Sequence, residues 1–204
     1  MYIKICGITR EKDRDAAINS GASALGFIAY AKSPRYVSPG KVKELLDGVD
    51  NCVDRVAVFV NESVDEIKKY IDAGINIVQL HGAESADIAI QVSKYAEVWK
   101  AMALRSNDDL DKYRHYPAQK YLVDAYCEKE YGGTGKQADW ELAALAVEEF
   151  EVPVLLAGGL TIDNVQDAIV TVQPFGLDLS SGVEISPGIK DHQLISDFII
   201  AARH

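Results

Sequence analysis

Several residue types and patterns are scarce in this chain of 204 residues. It has only three cysteines, Cys6, Cys52 and Cys127, which are widely spaced and form no C-x-x-C pair. This pattern indicates neither a disulfide framework nor a zinc site, and we expect the thiols to be reduced. The four histidines are scattered without the spacing of metal ligands, so we expect no metal site.

Basic residues and long apolar runs are also scarce. Lys and Arg number 21 against 31 Asp and Glu, which gives a formal net charge of −10. This charge argues against nucleic acid or an anionic membrane as a partner, because both favour a basic surface. No apolar run approaches the length that spans a bilayer, and no basic and apolar leader precedes the first strand. We therefore expect a cytoplasmic protein.

The composition, with 48% apolar and 25% charged residues, is that of a globular protein. Short segments rich in β-formers alternate with segments of helical period, and no linker separates them. Strands are predicted at 2–6, 24–29, 55–60, 76–80, 98–103, 121–124, 153–157 and 176–180. A helix capped by Thr9 follows the first strand, and further helices are predicted at 38–46, 63–72, 84–95, 139–149, 161–170 and 191–202, with only a short helical piece at about 108–115.

Eight strand-then-helix units predict an α/β fold. Strands that alternate with helices pair in parallel, and eight such units close into a (β/α)8 TIM barrel, here a single domain over residues 1–204. The alternative is an open doubly wound sheet, which needs an edge, and no predicted strand is blunted by charge or proline as an edge strand would be. A barrel places its functional site at the C-terminal ends of the strands.

Two glycine-rich strand ends have the features of a phosphate site. Gly158-Gly159 follows the seventh strand and Ser180-Ser181-Gly182 the eighth, where barrels often bind phosphate. Backbone N–H groups there, at the positive ends of short helices that start in these loops, can hold an anion without a lysine. The alternative is that these glycines only make tight turns.

Cys6 and Asp124 stand at the ends of the first and sixth strands. A carboxyl partly desolvated by the barrel walls favours its protonated form and suits a general acid, while a thiolate at Cys6 suits a base. The two side chains can then bracket one substrate. The alternatives are that Cys6 is a small buried hydrophobe and that Asp124 caps the turn that follows.

Alternation along the strands adds further candidates. If Cys6 points inward then Lys4 does also, and Asp178 shares a face with Ser180 on the neighbouring eighth strand. We predict a buried ion pair between Lys4 and Asp178, and we expect Lys4 or local N–H groups to keep Cys6 partly ionised.

Two other polar side chains are candidates for contacts with a substrate. His81 shares a face with Gln79 on the fourth strand, where either lines the cavity or satisfies loop backbone. Arg35, held rigidly by Pro34, offers a planar fork to a carboxylate, or is a solvated loop charge.

Short motifs are spread along the chain from the first residues to the last helix. They are KICGIT at 4–9, SPRYV at 33–37, VFVN at 58–61, QLHG at 79–82, Asp124, GGTG at 132–135, LAGGL at 156–160, SSGVE at 180–184 and SPGIKD at 186–191. In order and spacing this set resembles the phosphoribosylanthranilate isomerases of tryptophan biosynthesis.

The resemblance implies an Amadori rearrangement of a sugar phosphate, with no cofactor. Position by position, it implies that Cys6 is the general base, Asp124 the general acid and Arg35 the ligand of the anthranilate carboxylate, with phosphate at Gly158, Gly159, Ser180, Ser181 and Gly182. His81 and Asp178 complete the predicted substrate-binding set. The resemblance also implies a shortened fifth helix. A small-molecule substrate is the expected partner, and the sequence is compatible with a monomer or a homodimer.

Three other functions compete with this interpretation. A metal-using epimerase needs histidine and acidic ligands at several strand ends, and an indole-closing synthase needs a catalytic lysine and glutamate on early strands with a longer N-terminal extension. Neither pattern is apparent in the chain. A barrel that only binds a sugar phosphate or a protein is disfavoured by the presence of both Cys6 and Asp124.

Overall fold

Eight parallel strands close into a barrel in the order of the sequence in the computed structural model of this chain, which describes residues 1–125 and 138–203. Cys127, the glycine-rich motif at 132–135 and His204 lie outside the described residues. The strands are β1 Tyr2–Cys6, β2 Ala24–Ile28, β3 Asp54–Phe59, β4 Ile77–Leu80, β5 Glu97–Ala103, β6 Lys120–Asp124, β7 Val154–Leu156 and β8 Gly176–Leu179. β1 pairs with β8, so the predicted (β/α)8 barrel is confirmed and the open sheet is wrong.

Helices surround the barrel between successive strands. They are α1 Glu11–Asn19, α2 Pro39–Leu45, α3 Val64–Asp72, α4 Ala86–Val92, α5 Trp140–Glu149, α6 Val165–Val172 and α7 His192–Ala201. A 3-10 helix, Asn107–Lys112, lies between β5 and β6. This 3-10 helix occupies the place of the barrel's fifth helix, the one that follows β5. That it is shortened relative to other proteins stays a prediction. Ser38 caps α2, accepting from the N–H of Lys41, with Pro39 as the first helical residue.

The beginnings of three helices differ from the prediction, and for two of them a side chain makes a longer-range contact instead. Thr9 does not cap α1: the helix begins at Glu11, and the Thr9 hydroxyl donates to the carbonyl of Gly188 at 2.5 Å. Glu84 lies before α4 rather than in it, because its carboxylate accepts from Gly82 N–H and pairs with Lys100. α6 begins at Val165, four residues after the predicted start.

A small antiparallel hairpin follows β8 and was not predicted. A 3-10 turn, Ser181–Val183, leads into β9, Glu184–Ser186, which pairs with β10, Ile189–Lys190. Gly188, between the two strands, has φ +79°, a conformation that favours glycine. The hairpin lies next to the loops after β1 and β2, since Gly188 is close to Thr9 and Pro34.

Alternation along each strand separates two cores. A large apolar layer lies between strands and helices, and a smaller one fills the barrel, with Trp99, Leu122 and Leu155 among its members. Lys4 belongs to the inner face, where its register neighbours are Ala24 and Asp178. The same face continues to Cys6, at the C-terminal end of β1. None of the helices in residues 1–125 and 138–203 has the length and apolarity needed to cross a membrane.

Candidate active site

All ten side chains and backbone positions predicted for the site line one cavity at the C-terminal ends of the strands. They are Cys6, Arg35, His81, Asp124, Gly158, Gly159, Asp178, Ser180, Ser181 and Gly182. The barrel brings them together because β1, β2, β4, β6, β7 and β8 end at the same rim. Their individual roles in binding and catalysis stay predictions at this point.

Cys6 ends β1 and is 6% exposed. Gly26, its register partner on β2, makes room for the thiol: a Cβ on Gly26 would lie 2.7 Å from Cys6 Sγ and 2.9 Å from Cys6 Cα. Any side chain at position 26 would therefore displace the thiol from the rim.

The predicted ion pair lies below Cys6 and is confirmed. Lys4 Nζ is 2.9 Å from Asp178 Oδ2, and both side chains are buried. Burial by itself lowers the pKa of Lys4, but the Asp178 carboxylate beside it raises that pKa above the ordinary value, so Lys4 keeps its proton. The second oxygen of Asp178, Oδ1, has no hydrogen-bond partner among the described residues.

Cys6 does not have the low pKa that the sequence led us to expect. Burial raises the pKa of the thiol because desolvation penalises the thiolate, and the Asp178 carboxylate adds to the rise, while Lys4 and Lys190 oppose it. The prediction that Lys4 or local N–H groups keep Cys6 partly ionised is therefore wrong, although Lys4 lowers the pKa of the thiol in the expected direction. The two ammonium groups only limit the rise.

Asp124 accepts one hydrogen bond at the end of β6 and lies beside His81. Its Oδ1 accepts from the N–H of Ala125 at 2.7 Å, and its Oδ2 is 3.2 Å from His81 Nε2. His81 Nδ1 is in turn 2.9 Å from Gln79 Nε2. Asp124 thus accepts from the turn that follows, as the capping alternative proposed, and it also lines the cavity.

Arg35 is not a solvated loop charge. Its Nε and Nη2 donate to Glu184 at 3.0 and 2.7 Å, and the residue is 9% exposed. Glu184 raises the pKa of Arg35 through these hydrogen bonds, so the guanidinium stays charged beside the cavity.

Lys190 connects the hairpin to the rim of the cavity. Its Nζ donates to the carbonyls of Cys6 and Ser180 and lies 2.9 Å from Glu184 Oε1. Burial lowers the pKa of Lys190, while Glu184 acts in the opposite direction. The hairpin therefore fixes Arg35 and the end of β1 relative to each other.

The two glycine-rich loops touch each other. A Cβ on Gly182 would lie 2.0 Å from the carbonyl oxygen of Leu160, and Gly158 and Gly159 have φ of +81° and +64°. After β8 a helical turn begins at Ser181, as expected, and its first N–H groups have no partners within the turn. After β7 the expected helix does not start in the loop, because α6 begins only at Val165.

Sequence reasoning missed the roles of Glu184 and Lys190 and left Gln79 undecided. Glu184 and Lys190 flank Ser186-Pro187-Gly188, and a Pro-Gly pair between short extended segments was the available signal for a hairpin. Within the described ranges 1–125 and 138–203, no group of three His, Cys, Asp or Glu side chains is arranged to hold a metal ion.

Comparisons with known proteins agree on one family. Residues 3–201 match the family model described as N-(5'phosphoribosyl)anthranilate (PRA) isomerase. The N-(5'-phosphoribosyl)anthranilate isomerase of Geotalea uraniireducens is 42% identical over 202 residues, which are 98% of each chain.

Solved structures of the same family superpose on the whole barrel. Monomers of the dimeric phosphoribosylanthranilate isomerase of Thermotoga maritima have a TM-score of 0.87 and 37% identity, covering 100% of this chain and 98% of theirs. A phosphoribosylanthranilate isomerase in complex with reduced 1-(o-carboxyphenylamino)-1-deoxyribulose 5-phosphate has a TM-score of 0.87 and 36% identity with the same coverage.

Proposed function

This chain belongs to the N-(5′-phosphoribosyl)anthranilate isomerase family, and on that premise we propose that Cys6 is the general base and Asp124 the general acid of its reaction. The enzyme converts N-(5′-phosphoribosyl)anthranilate to 1-(2-carboxyphenylamino)-1-deoxyribulose 5-phosphate in tryptophan biosynthesis. The epimerase, the indole-closing synthase and the non-catalytic barrel are therefore excluded as its function.

The reaction is an Amadori rearrangement, which moves protons and breaks one ring bond. Asp124 gives a proton to the furanose ring oxygen, and the ring opens to a Schiff base. Cys6, as thiolate, then removes the proton on C2, and the resulting enolamine tautomerises to the ketone. One acid and one base on opposite sides of the sugar carry these steps. That Cys6 and Asp124 line the same cavity from β1 and β6 is the observation that carries this assignment.

The thiol must lose its proton before it acts as a base. Its raised pKa means that the thiolate is the minor form near neutrality, and the ammonium groups of Lys4 and Lys190 make that form accessible. A minor but strongly basic thiolate is compatible with general-base catalysis, because basicity rises with pKa.

The two ends of the substrate have matching partners. Arg35 donates to Glu184 through Nε and Nη2, which leaves Nη1 for the anthranilate carboxylate. The phosphate lies on the backbone of the loops that contain Gly158, Gly159, Ser181 and Gly182, where N–H groups bind it despite the net charge of −10. The solved relative that holds a reduced product analogue supports a sugar phosphate as ligand.

Replacement of Cys6 by Ser and of Asp124 by Asn tests both roles. Each change should lower turnover by about two to four orders of magnitude, the usual contribution of a general acid or base. Binding of a reduced product analogue should stay nearly unchanged. The loss of anthranilate-type fluorescence reports turnover, and Cys52→Ser, at an exposed cysteine, is the matched control. Near-normal turnover in either variant would show that its assigned role is wrong.

A further inference from the structure

A buried ion pair lies beside the rim of the cavity, where β4 ends. Lys100 Nζ, on β5, is 3.0 Å from Glu84 Oε2, and the two side chains are only 4% and 1% exposed. The same ammonium donates to the carbonyls of Leu80 at 3.0 Å and Gly82 at 2.6 Å. An ammonium has three donors, so each of them has an acceptor here. Leu80 and Gly82 are the residues on either side of His81.

The N–H groups of this segment are bound as well. The N–H of His81 donates to the carbonyl of Phe59 at 2.8 Å, and the N–H of Gly82 donates to the Glu84 carboxylate at 2.9 Å. The peptide units before and after the His81 Cα are therefore both held. Because a peptide unit is planar, contacts on both sides of one Cα leave its φ and ψ little freedom.

Asn61, which follows β3, ties its own loop to the same segment. Its N–H donates to Glu84 Oε1 at 2.8 Å, and its Oδ1 accepts from the N–H of Ala83 at 2.7 Å. Its φ is +55°, a left-handed conformation that is uncommon for residues other than glycine. A Cβ on Gly82 would lie 2.6 Å from Asn61 Oδ1, so the two loops are in close contact. These contacts hold Asn61 in its strained conformation.

The ion pair lies behind the cavity and not in it. Among the described residues, those that line the cavity do not include Lys100 or Glu84. A well-packed apolar pair of similar volume is often at least as stabilising as a buried ion pair, because two charges are costly to remove from water. Stability alone therefore does not account for the pair, whereas its contacts converge on the backbone that carries His81.

The same arrangement occurs on the opposite side of the barrel. Lys190 Nζ lies 2.9 Å from Glu184 Oε1 and donates to the carbonyls of Cys6 and Ser180, at the ends of β1 and β8. In both places a buried lysine paired with a glutamate binds backbone next to side chains that line the cavity.

We propose that Lys100, Glu84 and Asn61 are positioning residues, which hold the backbone of His81 so that its ring lies in the cavity beside Asp124. His81 lines the cavity, and its Nε2 lies 3.2 Å from Asp124 Oδ2. A misplacement of about 1 Å in an active site can lower the rate about a hundredfold. The inference rests on the proposed active site and on the predicted contact of His81 with the substrate.

The double variant Lys100→Met/Glu84→Gln tests this inference without leaving a single buried charge. We expect kcat/KM to fall about ten- to a hundredfold, measured in the full-length enzyme at a temperature where the variant is folded. Lys69→Met/Glu66→Gln makes the same two changes at an exposed pair on α3, and this control should keep the wild-type kcat/KM.

A double-mutant cycle with His81→Asn separates positioning from general damage to the fold. His81→Asn removes the ring and should by itself lower kcat/KM about tenfold or more. If Lys100 and Glu84 act through this ring, adding their double variant to His81→Asn should lower kcat/KM by less than about twofold more, because coupled changes are not additive. Damage to the barrel would lower kcat/KM by the same factor with either residue at position 81.

Asn61→Gly is a second variant, which changes no charge. Glycine adopts a φ of +55° without strain, so the substitution removes the Oδ1 that accepts from Ala83 and relaxes the turn. We expect kcat/KM to fall about threefold, and to stay unchanged when His81 is already replaced by Asn. This variant decides the question if Lys100→Met/Glu84→Gln does not fold.

Equal losses of kcat/KM with and without His81 would overturn the proposal. So would an unchanged kcat/KM in the folded Lys100→Met/Glu84→Gln enzyme or in His81→Asn. If Asp124→Asn kept its turnover while the cycle was not additive, the proposed general acid would be wrong, and the positioning of His81 would stand.

Discussion

Lys4 and Asp178 form an ion pair inside the barrel, one inward-facing position below Cys6, with 2.9 Å between Lys4 Nζ and Asp178 Oδ2. The pair therefore belongs both to the barrel core and to the floor of the site. Two charges removed from water are tolerated only while they face each other, because the loss of one leaves the other desolvated and unpaired.

Replacement of Lys4 by Met should destabilise the fold strongly. The variant leaves the Asp178 carboxylate buried without its partner, and we expect the free energy of unfolding to fall by about 3–5 kcal/mol. Urea denaturation followed by circular dichroism measures this change. The double variant Lys4→Met/Asp178→Asn should recover part of the loss, since it removes both charges.

Lys41→Met is the matched control for this change. Lys41 pairs with Glu44 on the surface of α2, where water screens both charges. Exposed pairs contribute about 0–1 kcal/mol, so the control should unfold almost as the wild type does. Equal losses in Lys4→Met and Lys41→Met would contradict the importance of the buried pair.

The rate should depend on pH through Cys6. The thiol pKa is raised by burial, and the thiolate is the active form, so kcat/KM should increase as the pH rises from about 7 to about 9, past the ordinary thiol value. Lys4 lowers this pKa, so in Lys4→Met the increase should move to higher pH, measured at a temperature where the variant is folded. A profile flat over this range, or one that Lys4→Met leaves in place, would argue against a thiolate base.

Gly182→Ala should separate the two glycine-rich loops that we propose to bind phosphate. The added Cβ would meet the carbonyl oxygen of Leu160 at 2.0 Å, which is backbone and can move only with its loop. We expect the affinity for inorganic phosphate to fall about tenfold, equivalent to about 1.4 kcal/mol. Calorimetric titration with phosphate measures this change.

Gly40→Ala controls for the loss of a glycine. No atom lies within 4 Å of a Cβ built at Gly40 in α2, so the added methyl group meets open space. Its effect on stability should stay within about 1 kcal/mol, with phosphate binding unchanged. Unchanged binding in Gly182→Ala as well would mean that the contact between the loops does not shape the phosphate site.

Periodicity predicted the barrel because every strand and helix has to bury one face, and this requirement repeats along the chain. The alternation of side chains along the strands then predicted the contact between Lys4 and Asp178, since inward-facing residues of neighbouring strands in a closed barrel have a defined register. Positions such as Cys6 and Asp124 were identifiable because they end apolar strands.

The features that the sequence did not predict depend on distances between loops that are far apart in the chain. Glu184 is 149 positions from Arg35, and no local pattern links a hairpin after β8 to the loop after β2. The raised pKa of Cys6 likewise follows from a balance between burial and nearby charges. Spacing identified Lys4 as a neighbour of the thiol. It did not show how strongly burial disfavours the thiolate, an effect that Lys4 opposes.

Glu184→Gln should weaken substrate binding through Arg35. Glu184 accepts from Nε and Nη2 of Arg35, and a neutral amide cannot accept both bonds with the same strength, so the guanidinium loses its fixed direction. We expect KM to rise about tenfold, or about 1.4 kcal/mol, with a small change in kcat.

An analogue with aniline in place of anthranilate has no carboxylate, so its kcat/KM should be nearly the same in the wild type, Glu184→Gln and Arg35→Lys. Arg114→Lys, at an exposed arginine paired with Asp111, should leave KM for both substrates unchanged. If Glu184→Gln and Arg35→Lys lowered kcat/KM equally for both substrates, Arg35 would not be the ligand of the carboxylate.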